Sequence, residues 1–319
     1  MQTLAPSARL ASVSVDLDSL HHYCRIHGVD ERVLTPDARA LVYRLAVPRL
    51  MELTDALALP VTLFAVGEDL ENAWAQTALT AALKSGRVEV GNHSYRHLYR
   101  LTRLGAADIA REIAEGGEAI RHATGTAPVG FRAPGYAVTG PVFEALEQQG
   151  YRYDSSVFPA APYYVAKAAV MGTLAALGRP SHALLDRPGV LLAPRAPYRP
   201  ARENPYRRGN SSVLELPITV MPFTRVPFIG TLVVALPAAA VVPLYKSLAR
   251  VSHFNFELHA VDVLDGSDGI PEALTRQQRD LRIPARLKLQ RLRAILRRLG
   301  DEFSPCTLAD AATRLRSNT

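Results

Sequence analysis

Val88-Glu-Val-Gly-Asn-His-Ser-Tyr-Arg-His97 is a short β-prone run that ends in Gly91-Asn92, with two histidines four positions apart directly behind it. The pattern is a strand that stops and hands over to polar residues, and it recurs in both directions along the chain. Upstream, Ala11-Ser-Val-Ser-Val15 runs into Asp16-Leu17-Asp18, and Val61-Thr-Leu-Phe-Ala-Val66 is closed by Gly67. Downstream, Val129-Gly-Phe leads into Arg132, Tyr151-Arg-Tyr ends at Asp154, and Phe254-Asn-Phe-Glu-Leu ends at His259. Helical spacing fills the gaps: Leu41, Leu45, Leu50, Leu53 and Leu57 within residues 37–58, a helix through Trp74 and Leu83, Ile109, Ile113 and Ile120 within 106–122, and a helix over 141–149. Strand then helix, repeated, with chemistry-bearing residues just past the strand ends, predicts a parallel α/β barrel whose site is built at the C-terminal ends of its strands.

The bulk numbers narrow the class. Of 319 residues 48% are hydrophobic and 21% charged, which is enough for a sizeable core and excludes a disordered chain. Two cysteines, Cys24 and Cys306, give no disulfide framework and point to a reducing compartment. Residues 1–10 lack a basic region followed by an apolar one, so no secretory leader is read there. The net charge of +7 is compatible with nucleic acid, an anionic membrane surface or a phosphorylated substrate. No nucleic-acid motif accompanies it, so the last two lead.

If the chain turns helical after Gly91, His93 and His97 lie one above the other and can grip one divalent ion from a single turn. The spacing is that of a zinc-binding HExxH helix without its Glu, and a plain pair of surface histidines would read the same. Asp16 and Asp18 leave the first strand as alternate residues, on one face. One of them can complete an Asp-His-His metal set and the other serve as general base, an arrangement that leaves coordination positions open. Arg132 is then a fixed cation beside the base, and His259 a candidate general acid. His21 and His22 are close enough in sequence to approach the metal, or are simply loop residues.

His93-Ser94-x-x-His97, Arg132-x-Pro134-x-Tyr136, Tyr153-Asp154-Ser155-Ser156 and Leu258-His259, taken in order after Val15-Asp16-Leu17-Asp18, resemble the motifs of the polysaccharide deacetylase family, the NodB homology domain. The resemblance covers residues 11–159 and 213–262. It implies a distorted (β/α)7 barrel and a metal-dependent hydrolase that removes an acetyl or formyl group from an N-acylated amino sugar. It also implies Asp16 as base, Asp18, His93 and His97 as metal ligands, and Arg132 as the residue that orients the base, with exchange of the two aspartate roles as the alternative. It further assigns the backbone N–H of Tyr136 to the oxyanion, His259 to the acid, and Asp154 to orienting His259. Zn is the leading metal, with Co, Mn or Ni accepted by the same donors. The family's first motif usually has adjacent aspartates. The Asp-x-Asp spacing here is similar to the branch that includes lipid-linked aminosugar deformylases. The alternative function is a catalytically silent sugar-lipid binding protein on the same fold.

One domain is expected over residues 1–319, with a hydrophobic and loop-rich insertion at about 155–245. Residues 155–166 and 168–178 are uncharged around Lys167, and 187–210 read as an exposed Pro-, Arg-, Tyr- and Asn-rich loop. Leu214-Glu-Leu-Pro-Ile-Thr-Val220 reads as a strand. Residues 226–245 are a 20-residue uncharged stretch, long enough to span a bilayer but broken by Pro227, Pro237 and Pro243. A single crossing there would also separate Asp16, His93 and Arg132 from His259. The expected role is a cap over the barrel mouth that grasps a lipid tail or dips into one leaflet, with plain core burial as the alternative of equal weight. Residues 284–299 form a basic amphipathic helix, with Arg286, Lys288, Arg291, Arg293, Arg297 and Arg298 opposite Leu289, Leu292, Leu296 and Leu299, read first as a barrel helix with a solvated basic face and second as a membrane-docking face. These features predict a cytoplasmic protein, peripheral on the inner membrane face, whose amino sugar is carried on a polyprenyl or other lipid.

Overall fold

Every residue of the strand Leu10–Asp16, β1, is buried. In the computed structural model, which describes residues 9–176 and 186–316, β1 is flanked by β2 (Val61–Ala65) and β7 (His253–His259). β3 (Val88–Asn92), β4 (Gly130–Phe131), β5 (Tyr153–Asp154) and β6 (Leu214–Glu215) continue the sheet beyond β2, and β8 (Ser304–Pro305) pairs with the start of β1. The order is β6-β5-β4-β3-β2-β1-β7, with every ladder parallel. Parallel neighbours require crossovers, and the helices that supply them cover the outer face, which is why these strands read as near-continuous apolar runs. Beyond β6 the sheet closes on β7 through one residue: Thr219 N–H donates to Asn255 O at 3.2 Å, and Asn255 N–H to Thr219 Oγ1 at 2.9 Å. The architecture is a distorted (β/α)7 barrel. Residues 1–8, on which the leader reading rests, and 177–178, the end of the second uncharged stretch, lie outside the described residues.

Alternation along β1 sorts two environments. Ala11, Val13 and Val15 join the main hydrophobic core under the helices, with Leu41, Leu50, Leu63, Leu296 and their neighbours. Ser12, Ser14 and Asp16 face the barrel interior, which is polar. Ser14 Oγ donates to Asn255 Oδ1 (2.9 Å), and Asn255 Nδ2 donates to Ser155 Oγ (2.8 Å). Register then sets the site. Asp16 lies beside His259 across β1 and β7, while Asn92 lies beside Phe131 and Phe131 beside Asp154. The residues that follow each strand end therefore rise around one mouth.

The segment after β5 is not a loose insertion. Helix Ala161–Ala176 stands at the mouth, and the 226–245 stretch folds as two short helices, Gly230–Ala235 and Ala238–Lys246, separated at Pro237. Val233, Val234, Val241 and Tyr245 point into the main core, while Ile229 and Leu232 face the mouth. Among the described residues no helix is long and apolar enough to cross a membrane. Of residues 214–220, only Leu214–Glu215 pairs as strand. The basic helix spans Ala285–Glu302, and one of its cations is misassigned by the amphipathic reading. Lys288 is completely buried and donates from Nζ to Val261 O (3.0 Å) and Leu264 O (2.7 Å). It pins the turn that follows His259.

Candidate active site

The two histidines do not sit on a helix. After β3 the chain runs as an irregular loop in which Ser94 (φ 62°) and His97 (φ 52°) both adopt the left-handed conformation. Such backbone is costly for residues with a Cβ and persists only when its surroundings hold it. Here they do. Gly67 N–H donates to Ser94 O, Tyr95 N–H to Glu112 O, and His97 N–H to Ser94 Oγ at 3.1 Å. Helix Ala106–Thr124 approaches so closely that a Cβ on Gly116 would stand 2.4 Å from Asn92 Oδ1 and 2.8 Å from the Ser94 carbonyl carbon. The expectation of an i, i+4 helical pair is thus wrong in mechanism, although the two imidazoles still meet.

They meet at Asp18. Asp18 Oδ1 lies 3.3 Å from His93 Nε2 and 3.1 Å from His97 Nε2, and all three side chains are buried. His93 Nδ1 is 2.7 Å from the Arg132 carbonyl, which can only accept, so Nδ1 carries a proton and the ring is oriented with Nε2 toward Asp18. Asp18 Oδ1 and His97 Nε2 have no hydrogen-bond partner among the described residues. Burial pushes the Asp18 carboxyl up, but His97 and His93 outweigh it and hold it well below the usual carboxylate range. The donor set suits a divalent ion. One carboxylate oxygen and two imidazole nitrogens at about 2.0–2.2 Å from a common centre would be spaced roughly as these atoms are.

Asp16 has a different environment. Its Oδ1 accepts from Arg132 Nη1 at 2.7 Å. Arg132 is fully buried and directs three further donors to Ser14 Oγ, Ser155 Oγ and Ser155 O, at 2.9, 2.9 and 2.8 Å, with its guanidinium over the Phe64 ring. That network fixes the cation, and the cation fixes the carboxylate. Asp18 thus stands beside both histidines, and Asp16 beside Arg132.

His259 ends β7 and is 22% exposed. Its Nδ1 is 3.0 Å from Glu257 Oε1, and its Nε2 is 3.1 Å from the Tyr136 hydroxyl. Burial opposes its protonation, but Glu257, then Asp16 and Asp18, raise its pKa well above the ordinary histidine value. Two expectations change here. Asp154 does not orient His259: its carboxylate accepts from Ser156 N–H (3.1 Å) and Ser156 Oγ (2.7 Å) and faces Glu215. In the closed barrel β6 stands between β5 and β7, whereas Glu257 is on His259's own strand and face. The backbone N–H of Tyr136 is not free for an oxyanion, because the Pro134–Tyr136 turn directs it to Ala133 O at 3.0 Å. Tyr136 instead offers its phenol, which also lies 3.4 Å from Asp16 Oδ2 and 3.3 Å from Glu257 Oε1.

Sequence reasoning missed Glu257 as a functional group, although an i, i+2 pair on a strand is its signal. It also missed His21 and His22 as helical residues, since both lie on Leu20–His27. The mouth is a pocket of about 390 Å³ with Asp16, Asp18, His93 and His259 at its base and mainly apolar and aromatic walls, including Ile26, Phe158 and Leu232.

Fold and site together define a parallel barrel with a buried Asp-His-His ligand set beside an Arg-held carboxylate and a carboxylate-backed histidine. The family described as "Polysaccharide deacetylase" matches residues 33–153 of this chain. The matched segment includes His93, His97, Arg132 and Tyr136, but begins after Asp18 and ends before His259. A peptidoglycan deacetylase of Helicobacter pylori is 29% identical over 161 residues, 49% of this chain and 53% of the relative. A peptidoglycan deacetylase-like protein of Gibberella zeae is 32% identical over 151 residues, 46% of this chain and 43% of the relative. The chain thus spans about half the length of the curated relatives it matches. The structure of a Mycobacterium smegmatis protein assigned to the polysaccharide deacetylases superposes with a TM-score of 0.62 at 16% identity, covering 99% of this chain and 93% of that one. At that identity the likeness carries the fold alone.

Proposed function

We propose that the protein hydrolyses the N-acyl group of an amino sugar, releasing the free amine and acetate or formate. The observation that carries this reading is the convergence, in one pocket, of the Asp18–His93–His97 set with Asp16 on Arg132 and His259 on Glu257. A divalent ion held by Asp18, His93 and His97 would supply Lewis-acid polarisation of the acyl carbonyl and acidify water beside it. The protein's own residues do the proton work. Asp16, held by Arg132, takes the proton of the attacking water as its oxygen bonds to the acyl carbon. His259, kept cationic by Glu257, donates from Nε2 to the amide nitrogen as the C–N bond breaks. The Tyr136 hydroxyl occupies that Nε2 in the free protein and must yield to the substrate.

The apolar walls support a substrate with an apolar portion, a sugar carried on a lipid. Lys167, on helix Ala161–Ala176, is the one Lys or Arg of the pocket lining among the described residues, and it suits a phosphate at the junction of sugar and lipid. A protein working on such a substrate would reside in the cytoplasm against the inner membrane face. The test is acetate or formate release from N-acyl amino sugars by the metal-loaded protein, before and after chelation and in His93→Ala. Release abolished by both supports the reading. Release indifferent to both overturns it, and tight binding without release would identify a silent binder.

A further inference from the structure

A second group of ligand-type side chains converges on the outer side of the histidine loop. His21 and His22 stand on helix Leu20–His27 and Asp69 on the turn Glu68–Glu71, and a ligand atom of each lies within 4.8 Å of the others. His22 is fully buried, yet neither of its ring nitrogens has a partner among the described residues. Buried polar atoms are nearly always satisfied, so an imidazole lacking both partners marks a place for something that binds it. Asp69 is also buried, and Ser19 Oγ donates to its Oδ2 at 2.7 Å, which fixes the carboxylate's orientation. Glu68 adds a buried Oε2, again without a partner among the described residues.

The group is reached from outside. A cleft of about 470 Å³, separate from the active-site pocket, opens on His21, Glu68 and Asp69. Two arginines line it, but both are paired with Glu31: Arg25 at 2.6 Å and Arg39 at 3.8 Å. Glu31 offsets one of these two charges, and with Glu68, Asp69 and Glu71 the acidic groups of the lining outnumber the basic ones, which favours a cation.

We propose that His21, His22 and Asp69 form a second divalent-metal site, distinct from Asp18–His93–His97 and independent of the hydrolytic reading. Two imidazoles and a carboxylate favour a borderline ion of the Zn²⁺ or Co²⁺ type over Mg²⁺ or Ca²⁺. Its position gives it a task. The His22 ring is 4.4 Å from that of His97, and Ser19, which follows Asp18 in the chain, is tied to Asp69. An ion here would brace two ligands of the first site from behind.

The test is a count. Full-length protein, stripped by chelator and titrated with Co²⁺, is followed by visible absorption and by elemental analysis after gel filtration. The expected result is two equivalents for the wild type and one for each of His21→Ala, Asp69→Asn and His97→Ala. The spectrum left in the first two variants should differ from that left in the third. Circular dichroism shows which variants are folded, and Asp69→Asn, nearly isosteric, guards against a collapse of His21→Ala. A wild type that binds one equivalent, abolished by His97→Ala, overturns the proposal, and so do two equivalents retained by both His21→Ala and Asp69→Asn.

Discussion

Glu257 and His259 are two residues apart on one strand face, and that spacing sets a carboxylate against Nδ1 and raises the histidine's pKa. The raised pKa keeps its imidazolium beyond the pH at which a free histidine would lose its proton. The alkaline limb of the activity profile should therefore fall above the ordinary histidine value of 6.5, with activity lost as pH rises through the raised value. Glu257→Gln removes the largest cause of the elevation and should move that limb of kcat/KM to lower pH. An unmoved limb would mean that His259 is not the acid. Stability follows the same sign: the contribution of the pair is complete below the unfolded-state pKa and is lost as pH rises through the folded one. The sequence exposed most of these residues, because each stands just beyond an apolar run. It could not expose the partner of His259. Asp154 occupies the expected place in the motif order, but its carboxylate is held by Ser156 and faces Glu215, while Glu257 is the carboxylate beside His259 Nδ1.

At the scale of elements, the long strands were legible and the short ones only in part. β1, β2 and β7 are buried apolar runs, whereas β4, β5 and β6 are two residues each, too short for a period to register. The histidine loop was misread for a different reason. Four-residue spacing fits a helix, and nothing in His-Ser-Tyr-Arg-His reveals that Ser94 and His97 take left-handed backbone because neighbouring elements bind them there. That account makes Gly116 essential. Gly116→Ala should cost roughly 1–3 kcal/mol by overpacking and weaken metal binding as well, since the added methyl pushes on Asn92 and Ser94. Thermal melts and a metal titration would check it; loss of stability with unchanged affinity would detach the helix from the loop. Lys288 is a second hidden element contact. Lys288→Met should cost about 3 kcal/mol by leaving Asp280 Oδ2 and two carbonyls unanswered, measured by urea unfolding. A surface-like change under 0.5 kcal/mol would mean that the lysine is not buried in solution.

Across the whole molecule, the two ends of the barrel differ in character. The mouth is apolar above its charged floor, while a larger cleft of about 680 Å³ at the other end carries Arg195, Arg208, Arg225 and Arg250 beside His253, the first residue of β7. The arginines of the 187–210 segment that line this cleft therefore gather away from the pocket. A lipid-linked substrate would have to be recognised through the mouth and Lys167. Lys167→Ala should raise KM for a phospholipid-linked sugar several-fold and leave a tail-free sugar unaffected, and equal effects on both would remove the phosphate contact from the account. The central claim is more basic: Asp16 and His259 are the base and acid of an amide hydrolysis. The direct measurement is single-turnover release of acetate or formate by wild type, Asp16→Asn and His259→Ala, each loaded to the same metal content at the first site. The account predicts that each variant retains metal and loses about 10²–10⁴-fold in rate. Variants that turn over within a few-fold of the wild type would contradict it.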